Sequence, residues 1–148
     1  MDWGHYRFHS VWELPAAPEA VLAVLERAEE YPRWWPQVRS VTPLTDRSGQ
    51  VRFRSRLPWE LTVTVRARPR DLRSRMIDLV LTGDLEGWAR WTLLERRGGT
   101  RLDMEQAVRL RKPLLGRWAP LCRPVLRANH AAMMRSGRRG LSALLRSR

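Results

Sequence analysis

Two adjacent residues near the end of the chain, Asn129 and His130, offer the clearest prospect of chemistry. His130 titrates near neutrality, which suits a general acid or base. Asn129 falls within an otherwise apolar stripe, where its amide would meet either a ligand carbonyl or hydroxyl, or the backbone or Gln106 as a satisfied buried group. The plain alternative for His130 is a half-exposed residue on the flank of a helix. Arg90 lies on a segment apolar on both faces, as does Asp78, so either can point inward or outward. An inward arginine would polarise a carbonyl or hold an enolate.

Around these lies an unusual supply of aromatic groups, with eight tryptophans in 148 residues. Trp12, Trp59 and Trp91 occupy positions on an inner face or its rim, and Trp34-Trp35 lie between two short helical turns. Each alone reads as a large core residue. Together they suggest an apolar pocket with a few placed polar groups. Other chemistries find no support. The chain has no G-x-S-x-G elbow, no phosphate-binding loop and no dinucleotide glycine fingerprint. His5 and His9 lie four apart on a strand with no third ligand near in sequence, so no metal site is expected, and no cofactor.

The element that must position Asn129 and His130 is a long helix between Leu114 and Leu145. At 100° per residue, Cys122, Val125, Leu126, Asn129, Ala132, Met133, Ser136, Gly140 and Leu144 gather on one side. Arg123, Arg127, Arg135, Arg138, Arg139 and Arg146 gather on the other. Gly137 and Gly140 sit on or beside the apolar stripe, where alanine would favour the helix by about 1 kcal/mol each. Small residues on that face predict a surface that leaves space, making the helix the lid of a cavity.

Upstream, the period is mostly two. Tyr6 to Leu14 alternates as a half-buried strand, then Pro18-Glu19 opens a helix with Val21, Leu22, Val24 and Leu25 inward. A short turn between Pro32 and Pro36 precedes a strand from Val38 to Leu44. Strands follow around Val51–Leu57, Leu61–Arg68 and Ser74–Thr82, a loop or bulge at Gly83–Gly87, and a strand at Trp88–Glu95. Arg97–Thr100 is a hairpin turn into a last strand whose inner face is Leu102, Met104, Gln106, Val108 and Leu110. The order is strand, two helices, six strands, long helix: an α+β fold with a curved antiparallel sheet of about seven strands, wet and arginine-rich on one side.

Length fits one domain spanning 1–148, with room for a proper core. No apolar run approaches the ~20 residues of a membrane span, and the first residues lack a signal-peptide layout, so a cytoplasmic protein is expected. The single Cys122 precludes an internal disulfide and reads as a buried, inert thiol. The net charge is +13, and eleven basic residues follow Glu105 without an acid, leaving +2 for residues 1–105. That asymmetry fits nucleic acid, an anionic membrane or an acidic protein partner. It fits equally a solvated face in an arginine-biased sequence, since Lys112 is the only lysine.

Certain segments resemble a family. They are Gly83-Asp84-Leu85-Glu86-Gly87 with Arg90-Trp91, Gly99-Thr100-Arg101, Lys112-Pro113, Ala119-Pro120-Leu121, Arg123-Pro124, Asn129-His130 with Met133, and Gly140-Leu141. They are similar to the polyketide cyclase/dehydrase branch of the START-like (SRPBCC) superfamily, over roughly Tyr6 to Leu145. The resemblance implies a helix-grip (Bet v 1/START-like) fold and a deep hydrophobic cavity. Met104 and Gln106 stand where relatives often carry aromatic residues, implying a floor of different shape and polarity. The implied ligand is a hydrophobic, aromatic or polyketide-like molecule bound by Trp12, Trp35, Phe53, Trp59, Trp91, Met104, Gln106, Asn129 and Met133. The implied chemistry is cofactor-independent cyclisation and dehydration, with His130, Asn129 and Arg90 as the catalytic candidates. An acidic acyl carrier protein would then deliver the substrate. The rival is a non-catalytic lipid or quinone carrier that meets an anionic membrane. Nucleic-acid binding through the basic helix ranks last, because no recognition motif accompanies it.

Overall fold

A computed structural model describes residues 5–54, 60–69, 74–111 and 119–147. Strand β1 (His5–Leu14) leads to helix α1 (Pro18–Leu25), a single 3₁₀ turn (Ala28–Glu30) and the short helix α2 (Tyr31–Trp34). Six strands follow: β2 (Val38–Thr45), β3 (Ser48–Arg54), β4 (Glu60–Ala67), β5 (Met76–Gly83), β6 (Leu85–Arg96) and β7 (Gly99–Leu110). Helix α3 (Ala119–Arg146) closes the chain. The strands form one antiparallel sheet in the order β1-β7-β6-β5-β4-β3-β2. The meander therefore runs from β2 to β7, and β1 returns to pair with β7 at the far edge.

Alternation decides the faces. Along β7, Leu102, Met104 and Val108 are buried while Glu105 and Arg109 are exposed, the pattern read from the sequence. The β6–β7 turn is the two-residue Arg97-Gly98, with Gly98 at φ +82°, a conformation that costs glycine little. The expected Gly83–Gly87 loop shrinks to Asp84 alone. Leu85, Glu86 and Gly87 already pair with Leu110, Arg109 and Val108 of β7. Asp84 makes so abrupt a corner possible by tying three strands: its carboxylate accepts from the Thr62 amide (2.8 Å), its own amide donates to the Thr62 carbonyl, and its carbonyl accepts from the Arg111 amide.

Helix α3 is rotated relative to the expected stripe. Met134, Gly137, Leu141 and Leu145 are buried, whereas Ala132 is exposed and Val125 is 50 % exposed. The cause lies in the two glycines, whose role is the opposite of leaving space. A Cβ on Gly137 would stand 2.6 Å from the Trp35 ring and 2.7 Å from the Trp12 ring. One on Gly140 would overlap the carbonyl of Trp34. The indole Nε1–H of Trp35 also donates to the Met133 carbonyl at 2.9 Å. These contacts set the rotation and press the C-terminal half of α3 against α2, with Trp12, Val21, Val24, Leu102 and Leu141 in the same core. Such close approach over small residues returns dispersion contacts in place of helix propensity.

The arginines divide as well. Arg123 and Arg127 fold over the edge strand rather than decorating a free outer face. The Arg123 guanidinium lies 4.4 Å from the Tyr6 ring centroid and donates to the His5 carbonyl at 3.1 Å. Arg127 lies 5.5 Å from the Tyr6 centroid and 5.7 Å from that of Phe8. Arg135, Arg138, Arg139 and Arg146 are exposed.

Candidate functional site

Between the concave sheet and the N-terminal half of α3 lies a cavity of about 660 Å³, within the usual range for small-molecule sites. The sheet contributes inward side chains at alternate positions: Val51 and Phe53 from β3, Val63 and Val65 from β4, Ile77, Leu79 and Leu81 from β5. Helix α3 contributes Leu126, Asn129, His130, Met133 and Met134, and the α1–α2 segment contributes Leu25, Tyr31 and Trp35. A curved sheet spreads its inner side chains apart, and one helix cannot fill the width that results. The solid packing at Gly137 and Gly140 fixes how far the other half of the helix stands from the sheet.

One wall is aromatic. Tyr31 stacks on Trp91 with centroids 6.3 Å apart and planes 11° apart, and it also meets Trp34 and Trp35. Its hydroxyl donates to the Leu25 carbonyl at 2.5 Å. Burial, and to a lesser degree the Glu29 charge, pushes the phenol far above its ordinary range, so it remains a neutral donor.

Besides the Tyr6 and Tyr31 hydroxyls, the polar side chains that β7 and α3 bring to the cavity among the described residues are Gln106, Asn129 and His130. His130 Nε2 and Gln106 Oε1 are 2.9 Å apart, and the imidazole stacks on Phe8 with centroids at 3.6 Å and planes 9° apart. Burial first, and the Arg127 charge second, lowers the His130 pKa to about 4. At neutral pH the ring is an uncharged hydrogen-bonding group. Among the described residues, the charged ones that line the cavity (Glu26, Glu29, Asp46, Arg47, Arg54 and Arg68) are all exposed.

Of the residues expected from sequence, the cavity gathers Trp35, Phe53, Trp91, Gln106, Asn129, His130 and Met133. Three expectations require correction. Trp12 and Met104 are each 2 % exposed and belong to the solid core, because Gly137 admits the Trp12 ring and Met104 sits beside Ser10 and Trp91 in the sheet. Arg90 lies on the exposed face of β6, where its Nε bonds Asp78 Oδ1 at 2.6 Å; that partner raises its pKa further. It does not line the cavity. Trp59 lies outside the described residues. His130 is an interior group rather than a helix flank, and it, not Asn129, is the partner of Gln106.

Phe8 and Tyr31 line the cavity without having been singled out. Phe8 was readable from its place on the inward side of β1. The Tyr31 orientation depends on the 3₁₀ turn before it, which no periodicity signals. His9 reaches Asp103 at 3.4 Å on the exposed side, and no group of three metal-ligating side chains occurs among the described residues. Nor is any helix among them long and apolar enough to cross a membrane.

A family model described as "polyketide cyclase / dehydrase and lipid transport" matches residues 5–146. Among solved structures, the fold is similar to a START superfamily protein from Mycobacterium smegmatis, with 15 % identity, TM-score 0.74, and coverage of 97 % of this chain and 99 % of that one. It is similar to the Zhui aromatase/cyclase from Streptomyces at 15 % identity and TM-score 0.74, covering 94 % and 92 %. It also matches about half of the di-domain aromatase/cyclase StfQ of the steffimycin pathway, with 15 % identity, TM-score 0.69, and coverage of 99 % and 53 %. No match occurs among curated protein sequences. At these identities the structural likeness establishes the helix-grip fold.

Proposed function

The chain belongs to the polyketide cyclase/dehydrase and lipid-transport family, and from its cavity we propose that it binds a hydrophobic, aromatic or polyketide-like molecule and folds it for cyclisation and dehydration. The observation that carries this reading is the cavity itself: about 660 Å³, apolar and aromatic along its walls, with neutral hydrogen-bonding groups at Gln106, Asn129 and His130. In an aldol cyclisation an enol carbon attacks a ketone within the same chain and a carbon–carbon bond forms; the enol oxygen gives up its proton as its carbonyl re-forms, and the new alkoxide takes that proton up. Loss of that hydroxyl with a neighbouring proton releases water. Asn129 and the His130–Gln106 pair would hydrogen-bond the reacting oxygens. A pKa of about 4 keeps His130 uncharged near neutrality and makes it a weak base, so its part would be to position the reacting oxygens by hydrogen bonding. Holding the reacting carbons together supplies several kcal/mol, about 7 or more in well-oriented cases. The outward Arg90 takes no part.

A second reading, a non-catalytic carrier of a lipid or quinone, draws support from the same histidine. A pKa of about 4 leaves no protonated imidazole at neutral pH to drive dehydration. Mass spectrometry of ligand released from protein purified from its own host separates the two, an intact lipid or quinone favouring carriage. Accelerated cyclisation of a supplied polyketide, lost in His130→Phe, favours the enzyme.

Both readings share one test of the cavity. An apolar aromatic probe should change tryptophan fluorescence, and Met133→Trp should abolish its binding while costing about 1–3 kcal/mol of stability. Unaltered probe affinity in that variant would place the bound molecule elsewhere. The exposed arginines 135, 138, 139 and 146 fit an acidic acyl carrier protein delivering the substrate, by charge complementarity. Arg135, Arg138 and Arg139 changed to Gln should weaken carrier binding at low salt. Loss of binding to anionic vesicles instead supports the carrier reading. No binding to either leaves these residues a solvated face.

A further inference from the structure

We propose that Asn129, His130 and Gln106 form a subsite that recognises an uncharged oxygen function, a phenol or a ketone, on the ligand and turns away ionised acids. The proposal rests on the reading that the cavity holds a small molecule, and it is indifferent to whether that molecule is transformed or carried.

The first argument is where charge lies. Among the described residues, the carboxylates and guanidinium groups that line the cavity are all on exposed residues, so the interior they form offers dipoles and no counter-ion. Arg127, whose charge reaches His130, is itself exposed and laid over the Tyr6 and Phe8 rings. An ionised carboxylate drawn inside would lose its water and find, among the described residues, no buried cation to pair with; the charge of exposed, solvated Arg127 is screened, so the loss is not offset.

The second argument is that the polar groups are poised for both kinds of neutral oxygen. With Gln106 Oε1 facing Nε2, as the 2.9 Å contact stands, the ring carries its proton on Nε2 and keeps Nδ1 as an acceptor for a hydroxyl. Turning the Gln106 amide by half a turn reverses the pair. Nε2 then accepts, Nδ1 carries the proton, and the ring donates to a ketone. Stacking on Phe8 holds the imidazole plane during that exchange. Asn129, which also lines the cavity, has no side-chain hydrogen bond among the described residues, and its amide offers both donors and an acceptor.

The sign of one comparison is diagnostic. A phenol surrenders hydrogen bonds to water on entering a cavity, so in a merely apolar one 2-naphthol would bind more weakly than naphthalene. The test titrates the intact protein at neutral pH with naphthalene, 2-naphthol and 2-naphthoate, by calorimetry and tryptophan fluorescence. The expected order is 2-naphthol first, about tenfold tighter than naphthalene, with 2-naphthoate at least about tenfold weaker than 2-naphthol. Gln106→Leu and Asn129→Leu, made separately, should each shrink the naphthol advantage several-fold and leave naphthalene binding in place. Equal binding of naphthalene and 2-naphthol, or 2-naphthoate binding as tightly as 2-naphthol, would overturn the subsite while leaving the cavity reading intact. Failure of all three probes to bind would overturn the cavity reading, and the subsite with it.

Discussion

The two halves of α3 obey different rules. From Met134 onward the helix is a packing element: Met134, Gly137, Leu141 and Leu145 are buried, and indole rings and the Trp34 backbone occupy the space that two missing side chains leave. Before Met134 it is a ceiling over the cavity, with Asn129 and His130 half-buried and Val125 exposed to solvent. A single rigid rod therefore couples a tight joint to an open site. The joint fixes the height at which the ceiling hangs, and small residues mark the joint, not the hollow.

The largest effect should come from breaking the joint. Gly140→Ala adds a methyl group that the Trp34 carbonyl already occupies, and backbone cannot step aside as a flexible side chain can. Helix propensity alone would favour the change by about 1 kcal/mol. The overlap should outweigh it, for a net loss of about 3 kcal/mol or more in denaturant unfolding. Val125→Ala, on the other half, should cost no more than about 0.5 kcal/mol. Similar losses at the two positions would dissolve the distinction between the halves.

Much of this organisation was legible beforehand. Alternation in β1 and β7 gave correct faces, because a sheet wet on one side imposes a strict period of two. The seven strands and the long terminal helix followed from turn residues and periodicity. The rotation of α3 was not legible. Projection of hydrophobicity counts glycine as neutral, yet Gly137 and Gly140 govern the contact through what they lack. The same blindness put Trp12 in the cavity and left a flank position open as the alternative for His130. Arg90 was ambiguous because β6 carries large side chains on both faces, and only the Asp78 partner one strand over reveals which is outward.

Sharpening the other half calls for pH. His130 has a folded-state pKa of about 4 against an ordinary value of 6.5, so the unfolded chain binds its proton more readily. The contribution to stability is fully present above pH 6.5 and is lost progressively as pH falls toward 4. At most the difference is about 3 kcal/mol. Stability measured by denaturant across that window should therefore decline in the wild type, and His130→Phe should remove most of this part of the slope. Stability that stays flat across the window in the wild type would mean that the ring is already hydrated and the ceiling is open to water.

The smallest effect concerns how the ceiling is pinned. Its outer end has no close-packed joint among the described residues; Arg123 and Arg127 lie over the rings of Tyr6 and Phe8, and Arg123 also holds the His5 carbonyl. Cation–π contacts of half-exposed groups contribute about 0.5–1 kcal/mol each. Changing both arginines to Gln should thus cost about 1–2 kcal/mol, less than three independent contacts would, because Arg123 and Arg127 share the Tyr6 ring. Where the loss appears matters more than its size. Amide exchange should accelerate in α3 before Met134 and in β1 near Tyr6, while the amides between Gly137 and Leu145 keep their protection, because the joint there does not depend on these contacts. A local opening of that kind would also quicken entry of an apolar probe. Exchange that accelerates equally along the whole of α3 would show a helix that opens as one unit, and the joint and the ceiling would then be a single structure.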